Sequence, residues 1–300
     1  MTAELGLRPA TPADLAACER IWIAGINDYL RPMNQPLVSD DNPGLRRLHA
    51  HTLATDPDRF WVATRAERVV AFGSAVERGQ LWFLSMLFVL PEEQGRGVGR
   101  AILGQLLPAP FDGRVLATAT DSAQPVSNAL YASLGMGPQL PLFGLVGRPL
   151  PDRPLPALPE AVRVESLELG GSNEVDDLDR EVLGFAHRRD HEFLRDPDRL
   201  AFGYRAAGGR LLGYGYTSKA GRIGPIGVRD AALMAPVMGH LMRVLEPRGA
   251  SSIWLSGAQR EALAAALVAG FRIDGFPLLL CWSRPFADFG RYLLLSPGLP

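Results

Sequence analysis

The sequence predicts an α/β protein built twice over: two tandem domains, each a mixed, mostly antiparallel sheet flanked by helices. Three observations carry that prediction. Apolar stripes with helical spacing and short alternating runs succeed one another as β-α-α-β-β-β-α-β-α-β through the first 150 residues. A pattern from that stretch then returns 140 residues later without a gap. "DPDRFWVATRAERVVAFGSA" begins at Asp56 and "DPDRLAFGYRAAGGRLLGYG" at Asp196, and they align from Asp56/Asp196 through Arg65/Arg205 to Gly73/Gly213. Between the copies lies "GRPLPDRPLPALPE", whose prolines restrict both themselves and their predecessors to extended backbone. The expected division is therefore a domain of residues 1–150, a linker of 151–159 and a second domain of 160–300.

Each element of the first copy has a local reason. "LRPA" reads as a short strand. "TPADLAACERIWIAGINDYL" reads as a helix capped by Thr11, with Pro12 in its first turn, Asp14 at its positive end, and Leu15, Cys18, Trp22 and Tyr29 on one apolar stripe. A second helix is expected over "NPGLRRLHAHTLA". Strands follow at "FWVATRA", "RVVAFGSAV" and "LWFLSMLFV", then a helix over 97–107 stopped by Pro108. "GRVLATAT" reads as a strand, "PVSNALYASL" as a helix and "LPLFGLVGRPL" as a closing strand. The second copy ends alike: "AGFRIDGFPLLLCWSRPF" repeats a glycine, a large apolar residue, a strand and Arg-Pro.

Composition removes several function classes. The 300 residues are 47% hydrophobic and 21% charged, with a formal net charge of −1. That balance leaves no basic field to hold nucleic acid or an anionic membrane. Lys219 is the single lysine, a bias we attribute to a GC-rich coding sequence. Cys18 and Cys281 fit no metal or redox spacing, and Cys18 falls on a helix's apolar face. The N-terminal residues lack the basic and apolar regions of a signal peptide, and no apolar run approaches the roughly 20 residues of a bilayer span. A soluble cytoplasmic protein is expected.

The chemistry is concentrated in "VLPEEQGRGVGR", residues 89–100, where an apolar strand meets Gly95, Gly97 and Gly99 at alternate positions. A helix start has about four unpaired N–H groups and roughly half a positive charge. A strand running directly into one aims those donors at a single anion. Glycines let the main chain approach that anion closely, and Arg96 and Arg100 stand ready at the rim. A Walker loop would need Gly-Lys-Ser/Thr, which is absent. The dinucleotide fingerprint needs G-x-G-x-x-G in the first βα turn, whereas this loop is G-x-G-x-G behind three strands.

The stretch resembles motif A of the GNAT N-acetyltransferase superfamily, V-x-P-x-x-Q/R-G-x-G-x-G/A, with Val89, Pro91, Gln94, Gly95, Gly97 and Gly99 satisfying every position. The resemblance implies that the amides of Gln94, Gly95, Arg96, Gly97, Val98, Gly99 and Arg100 hold the pyrophosphate of acetyl-CoA. It implies too that Leu87, Phe88 and Val89 pair with the pantetheine. "QPVSNALYASLGM" is similar to the family's later motif, placing Tyr131 on its tyrosine, Ser127 on its small residue, and Gly135 and Met136 on its final pair. Gln124 departs from the usual asparagine, and Asn128 is the candidate to take over an amide contact to the cosubstrate. Tyr131 is the expected catalytic acid, since a phenol stays protonated at neutral pH and can protonate a leaving thiolate. No single general base is assignable: Glu77, Glu92, Glu93 and Asp121 lie nearby in sequence, with Glu92 and Glu93 expected to face solvent.

The second copy has Ala231, Ala232, Leu233, Ala235 and Pro236 where the glycines should stand, and alanine or leucine in place of the tyrosine. It resembles the degenerate copy of a tandem GNAT protein and is expected to keep the fold without binding acetyl-CoA. Such a copy can wall an acceptor pocket or support a homodimer. Tyr204, Tyr214, Tyr216, Trp254 and Trp282 are candidates to line a cleft or to pack one sheet face. "HRRDH", His187 to His191, lacks the third ligand a metal site requires and is expected to be a solvated charged face, so no metal is expected.

The function these observations imply is an N-acyltransferase moving an acetyl group from acetyl-CoA to a primary amine, on a small molecule or a peptide, by direct attack. The alternatives are a non-catalytic acyl-CoA sensor and a scaffold of two degenerate folds.

Overall fold

A computed structural model describes residues 4–109 and 112–300. The chain forms two compact units. The first holds Met1–Glu77 and Trp82–Arg114, the second Arg78–Leu81 and Val115–Pro300.

In the first unit β1 (Gly6–Pro9), β2 (Phe60–Arg65), β3 (Arg68–Arg78) and β4 (Leu81–Val89) lie side by side in that order. β1 pairs antiparallel with β2, and β2 with β3. The first predicted helix begins with a short 3-10 turn, Pro12–Asp14, before α1 (Leu15–Leu30). The Asp14 carboxylate accepts from Thr11 N at 2.8 Å and from both Arg8 guanidinium nitrogens, which fixes the entry of the chain. α2 (Pro43–Thr55) starts where Asn42 Oδ1 accepts from Leu45 N at 3.0 Å. α3 (Val98–Leu106) buries Val98, Ile102, Leu103 and Leu106, the one stripe its sequence makes apolar. Cys18 is fully buried in α1, as its place on the stripe required.

The second unit carries two sheets. In one, β5 (Val115–Asp121), β13 (Leu278–Trp282), β6 (Gly137–Gly147) and β11 (Ser251–Ser256) are neighbours in that order, with the short β12 (Arg272–Ile273) also on β6. Every one of these pairings is antiparallel. β13, from the end of the second copy, is inserted between two strands of the first: Leu278 faces Asp121 on one side and Leu142 on the other. β6 in turn lies against β11, with Leu145 opposite Ile253. The copies thus exchange closing strands, which sequence order alone does not reveal. α4 (Pro125–Ala132) and α8 (Arg260–Val268) precede those strands.

The other sheet of this unit orders β14 (Tyr292–Leu293), β10 (Ile223–Val228), β9 (Leu211–Ser218), β8 (Arg199–Arg205) and β7 (Arg163–Leu167), all antiparallel. Three helices belong to this region: α5 (Asn173–Leu183), α6 (Arg188–Phe193) and α7 (Met234–Val244). The proline-rich segment is irregular, and Leu155 and Leu158 pack onto the core formed by α7, β10 and β11 while Arg243 donates to Pro156 O at 3.0 Å.

The internal repeat has structural counterparts. Arg59 N donates to Asp56 O at 2.9 Å, and Arg199 N to Asp196 O at 2.9 Å. The β2–β3 register slips after Ala63 and the β8–β9 register after Tyr204, next to the matched arginines Arg65 and Arg205. Both copies therefore build the same turn and a bulged pair, the bulges one repeat position apart, and the chain is an α/β protein of two tandem, mostly antiparallel folds.

Candidate functional site

β4 delivers the chain to the glycine loop. Phe88 packs its ring against Trp22 and Phe72, at centroid distances of 6.1 and 5.8 Å, and this anchors the end of the strand. Pro91–Glu93 make one 3-10 turn. Gly95 then adopts φ +73° and Gly97 φ +80°, with Gly97 as the N-cap of α3. An L-residue at either place would be strained, and no atom lies within 4 Å of where its Cβ would stand. Among the described residues the amides from Gly95 to Arg100 donate no hydrogen bond, the first being Ala101 N to Gly97 O at 3.0 Å. Unpaired donors, a helix dipole and unobstructed space therefore coincide, which is what an oxyanion such as a diphosphate requires. Gln94 turns back, its Nε2 donating to Val89 O at 3.1 Å. Its side chain braces the strand end against the loop. Leu87 and Val89 are half-buried, and a Cβ added at Gly99 would stand in ordinary contact with both. Val98 is the loop's buried residue, while Arg100 is exposed.

Two details differ from the sequence expectation. Arg96 is exposed and pairs with Glu93 at 3.7 Å. Glu93 does not simply face solvent: Arg65 holds it at 2.9 Å, and its side chain is only 12% exposed. Only Glu92, bridged to Arg68 at 3.3 Å, is on the surface as expected. Glu77 pairs with Arg59 at 2.8 Å and with Arg114, and Asp121 Oδ1 accepts from Ala123 N at 2.8 Å. Each candidate base is thus engaged by an arginine or by backbone.

Tyr131 and Asn128 lie on α4 of the second unit. Tyr131 is buried, and burial, with the Cys281 thiol adding to it, pushes its hydroxyl well above the ordinary phenol range. It keeps its proton at any physiological pH. Asn128 Nδ2 is committed to structure, donating to Asp121 O at 2.9 Å and Gln124 O at 2.8 Å, while its Oδ1 is buried without a partner. Any amide contact to a cosubstrate would have to be made by that oxygen, as an acceptor.

Residues 23–136 match the family model of the acetyltransferase (GNAT) family. That is what this stretch is similar to in sequence. The match takes in β4, the glycine loop, α3 and α4. Solved structures extend the likeness over the chain. A Pyrococcus horikoshii protein named for a proposed acetyltransferase activity superposes with a TM-score of 0.76 at 16% identity, covering 99% of this chain and 96% of its own. A GCN5-related N-acetyltransferase from Sphaerobacter thermophilus gives 0.62 at 15% identity, covering 95% and 98%. A tandem GNAT protein from the clavulanic acid biosynthesis pathway gives 0.60 at 18% identity, covering 94% and 99%. These likenesses establish the tandem GNAT fold. The comparison with curated proteins found no match. Among the described residues no helix is long and apolar enough to cross a membrane.

The second copy's helix start is built differently. β10 leads into a 3-10 turn, Ala231–Leu233, and then α7, and no residue from 225 to 269 has positive φ. Asp230 Oδ1 accepts from Ala232 N at 2.9 Å. A fixed carboxylate therefore already sits on this helix start, and Leu233, Met234 and Ala235 are buried behind it. The aromatic residues there are packed, not arrayed along a cleft: Tyr204, Tyr214 and Tyr216 are all at most 1% exposed, and Trp282 stacks on Phe289.

"HRRDH" overturns its expectation. His187, Asp190 and His191 are 3%, 2% and 0% exposed, so this is interior and not a solvated face. A third acidic or imidazole group, absent from the sequence reading, lies against them: Asp179, from α5, is hydrogen-bonded to His191 Nε2 at 2.9 Å and lies 3.3 Å from His187 Nε2. Sequence reasoning missed it because Asp179 is 8 and 12 residues away on another helix. Burial works to strip the proton from His187, but Asp179 and Asp190 outweigh it and raise the imidazole to about 10. For His191 burial dominates, and its imidazole is pushed down.

Proposed function

We propose that the chain is an acyl-CoA-dependent N-acyltransferase, with acetyl-CoA as donor and a primary amine as acceptor. The observation that carries this reading is the run of unbonded amides from Gly95 to Arg100 at the head of α3, in a loop that satisfies motif A throughout. In this reading the loop and helix start hold the donor's diphosphate, and Leu87, Phe88 and Val89 offer strand backbone to its amide-bearing arm. Bound there, the thioester supplies an activated acyl group. The chain's own residues then have three tasks: to orient the carbonyl, to exclude water and to supply a proton to the departing sulfur. Tyr131 is the residue we assign to the last task, since its position matches the family's tyrosine and a phenol keeps its proton at neutral pH, free to hydrogen-bond to the departing sulfur and protonate it. Asn128 Oδ1 is the acceptor left open for a donor amide. With every nearby carboxylate engaged, deprotonation of the amine is assigned to water.

We further propose two copies, residues 1–150 and 160–300, of which the first is catalytic and the second, with Asp230 on its helix start, does not take the donor. Neither nucleic acid nor membrane is a partner in this reading, and the compartment is cytoplasmic. The test is thiol release from acetyl-CoA against a panel of primary amines. Amine-dependent release supports the reading; binding of acetyl-CoA with no release across the panel would instead favour a sensor.

A further inference from the structure

We propose that Asp179, His187 and His191 form a buried site for a transition-metal dication of the zinc class. The three side chains each offer a donor atom, all within 4.8 Å of one another. Zinc bonds of about 2.0–2.1 Å at tetrahedral angles place donor atoms roughly 3.3 Å apart. Asp179 Oδ2 and His187 Nε2 are already 3.3 Å apart, and Asp179 Oδ2 and His191 Nε2, at 2.9 Å, need to open by only a few tenths of an ångström. Two imidazoles and a carboxylate are a donor set of borderline softness, suited to zinc and its neighbours rather than to calcium or magnesium.

A second, independent observation points to a ligand. Neither ring nitrogen of His187 makes a hydrogen bond, and neither does the hydroxyl of fully buried Tyr292, whose ring centroid is 5.8 Å from that of His187. His187 Nε2 is close enough to Asp179 to donate to it but is not aimed at it. His191 Nε2 already bonds Asp179 Oδ2 at 2.9 Å, whereas His187 Nε2, 3.3 Å from the same oxygen, does not, so a metal would take the place of the His191 proton and bring His187 into the set. A proton on His187 would instead be expected to point along a straight hydrogen bond.

The surroundings orient each donor from behind, as metal sites do. Tyr214 and Tyr216 alternate along β9 and so present both hydroxyls on one face. Tyr214 donates to Asp179 Oδ1 at 2.6 Å, which leaves Oδ2 for the metal. Tyr216 lies 2.9 Å from His191 Nδ1, a contact that fixes the ring with Nε2 inward. Asp190 Oδ2 stands 3.6 Å behind His187 Nδ1 and is itself held by Arg78 through two bonds of 2.7 Å.

The test uses the full chain, purified without a histidine tag and assayed by elemental analysis, then stripped with chelator and titrated with Zn2+ alone. One equivalent per chain is expected, with Tm falling on stripping and recovering on Zn2+ addition. D179N, H187Q and H191Q should each weaken Zn2+ binding at least ~10-fold, while H240Q, on α7, leaves it unchanged. Should the variants fail to fold, Co2+ on the wild-type chain decides: two paramagnetically shifted histidine ring signals support the site, and their absence overturns it. Substoichiometric metal with a Tm indifferent to Zn2+ would mean that His187 holds a proton and no metal, and variants that bind like wild type would place the metal elsewhere. Either result overturns the proposal. These readouts are independent of acyl transfer.

Discussion

The chain begins an equivalent helix twice and equips the two starts in opposite ways. At α3 the backbone is bare: Gly95 and Gly97 take positive φ, no atom crowds them, and the amides that follow have no acceptor. At α7 Asp230 already occupies an amide, and apolar side chains close in behind it. One architecture thus carries an open, uncapped helix start in one copy and a capped, sealed one in the other. The difference lies in a handful of backbone amides and one carboxylate. In the proposed function, then, donor binding follows from the loop residues and not from the GNAT-like fold alone.

The sharpest way to break this comparison is Gly97→Pro. Proline cannot reach φ +80°, and the loop must rearrange at a cost of at least ~3 kcal/mol, or roughly 100-fold in Kd. Calorimetry should find no acetyl-CoA binding, while circular dichroism reports a folded chain. Next in size is Tyr131→Phe. Where α4 has this tyrosine, α8 buries Ala262 and Ala266. Loss of the acid should lower kcat by about 10²-fold or more and leave the donor Kd within twofold. An unchanged kcat would remove Tyr131 from the chemistry.

Acid should separate the two regions as well. His49 lies under the strand that feeds the cradle, its Nε2 3.1 Å from Met86 and its ring 5.2 Å from that of Phe72. Burial pushes its pKa down to about 4. The folded chain keeps this imidazole neutral while the unfolded chain protonates it below pH ~6.5, so its contribution is complete above that pH and is lost on the way down to 4. Denaturant titrations should show a loss of up to about 3 kcal/mol across that window, and His49→Leu should remove it. The smallest effect is Asp230→Ala: it should cost about 1 kcal/mol of stability as a lost cap, and acetyl-CoA affinity should not change.

The glycine loop was legible in the sequence because the features that matter there are backbone features, and glycine is how a sequence writes them. Helix faces such as Val98, Ile102 and Leu103 were legible through their period. The strand exchange was not, because β13 and β5 are neighbours in space but lie some 160 residues apart, and sequence order favours adjacent pairing. Nor was the fate of "HRRDH", which reads as a charged surface until α5 brings Asp179 to it. Asp230 could have been read: an aspartate just before a helical stripe is a cap signal. Glu93 could not, since Arg65 reaches it from a strand 28 residues earlier.

The central claim is that the start of α3 takes the donor and the start of α7 does not. Calorimetric titration of the full chain with acetyl-CoA measures this directly when the wild type is set beside Gly97→Pro. The account predicts one equivalent bound per chain in the first and none in the second. Two equivalents, or one that survives Gly97→Pro, would contradict it.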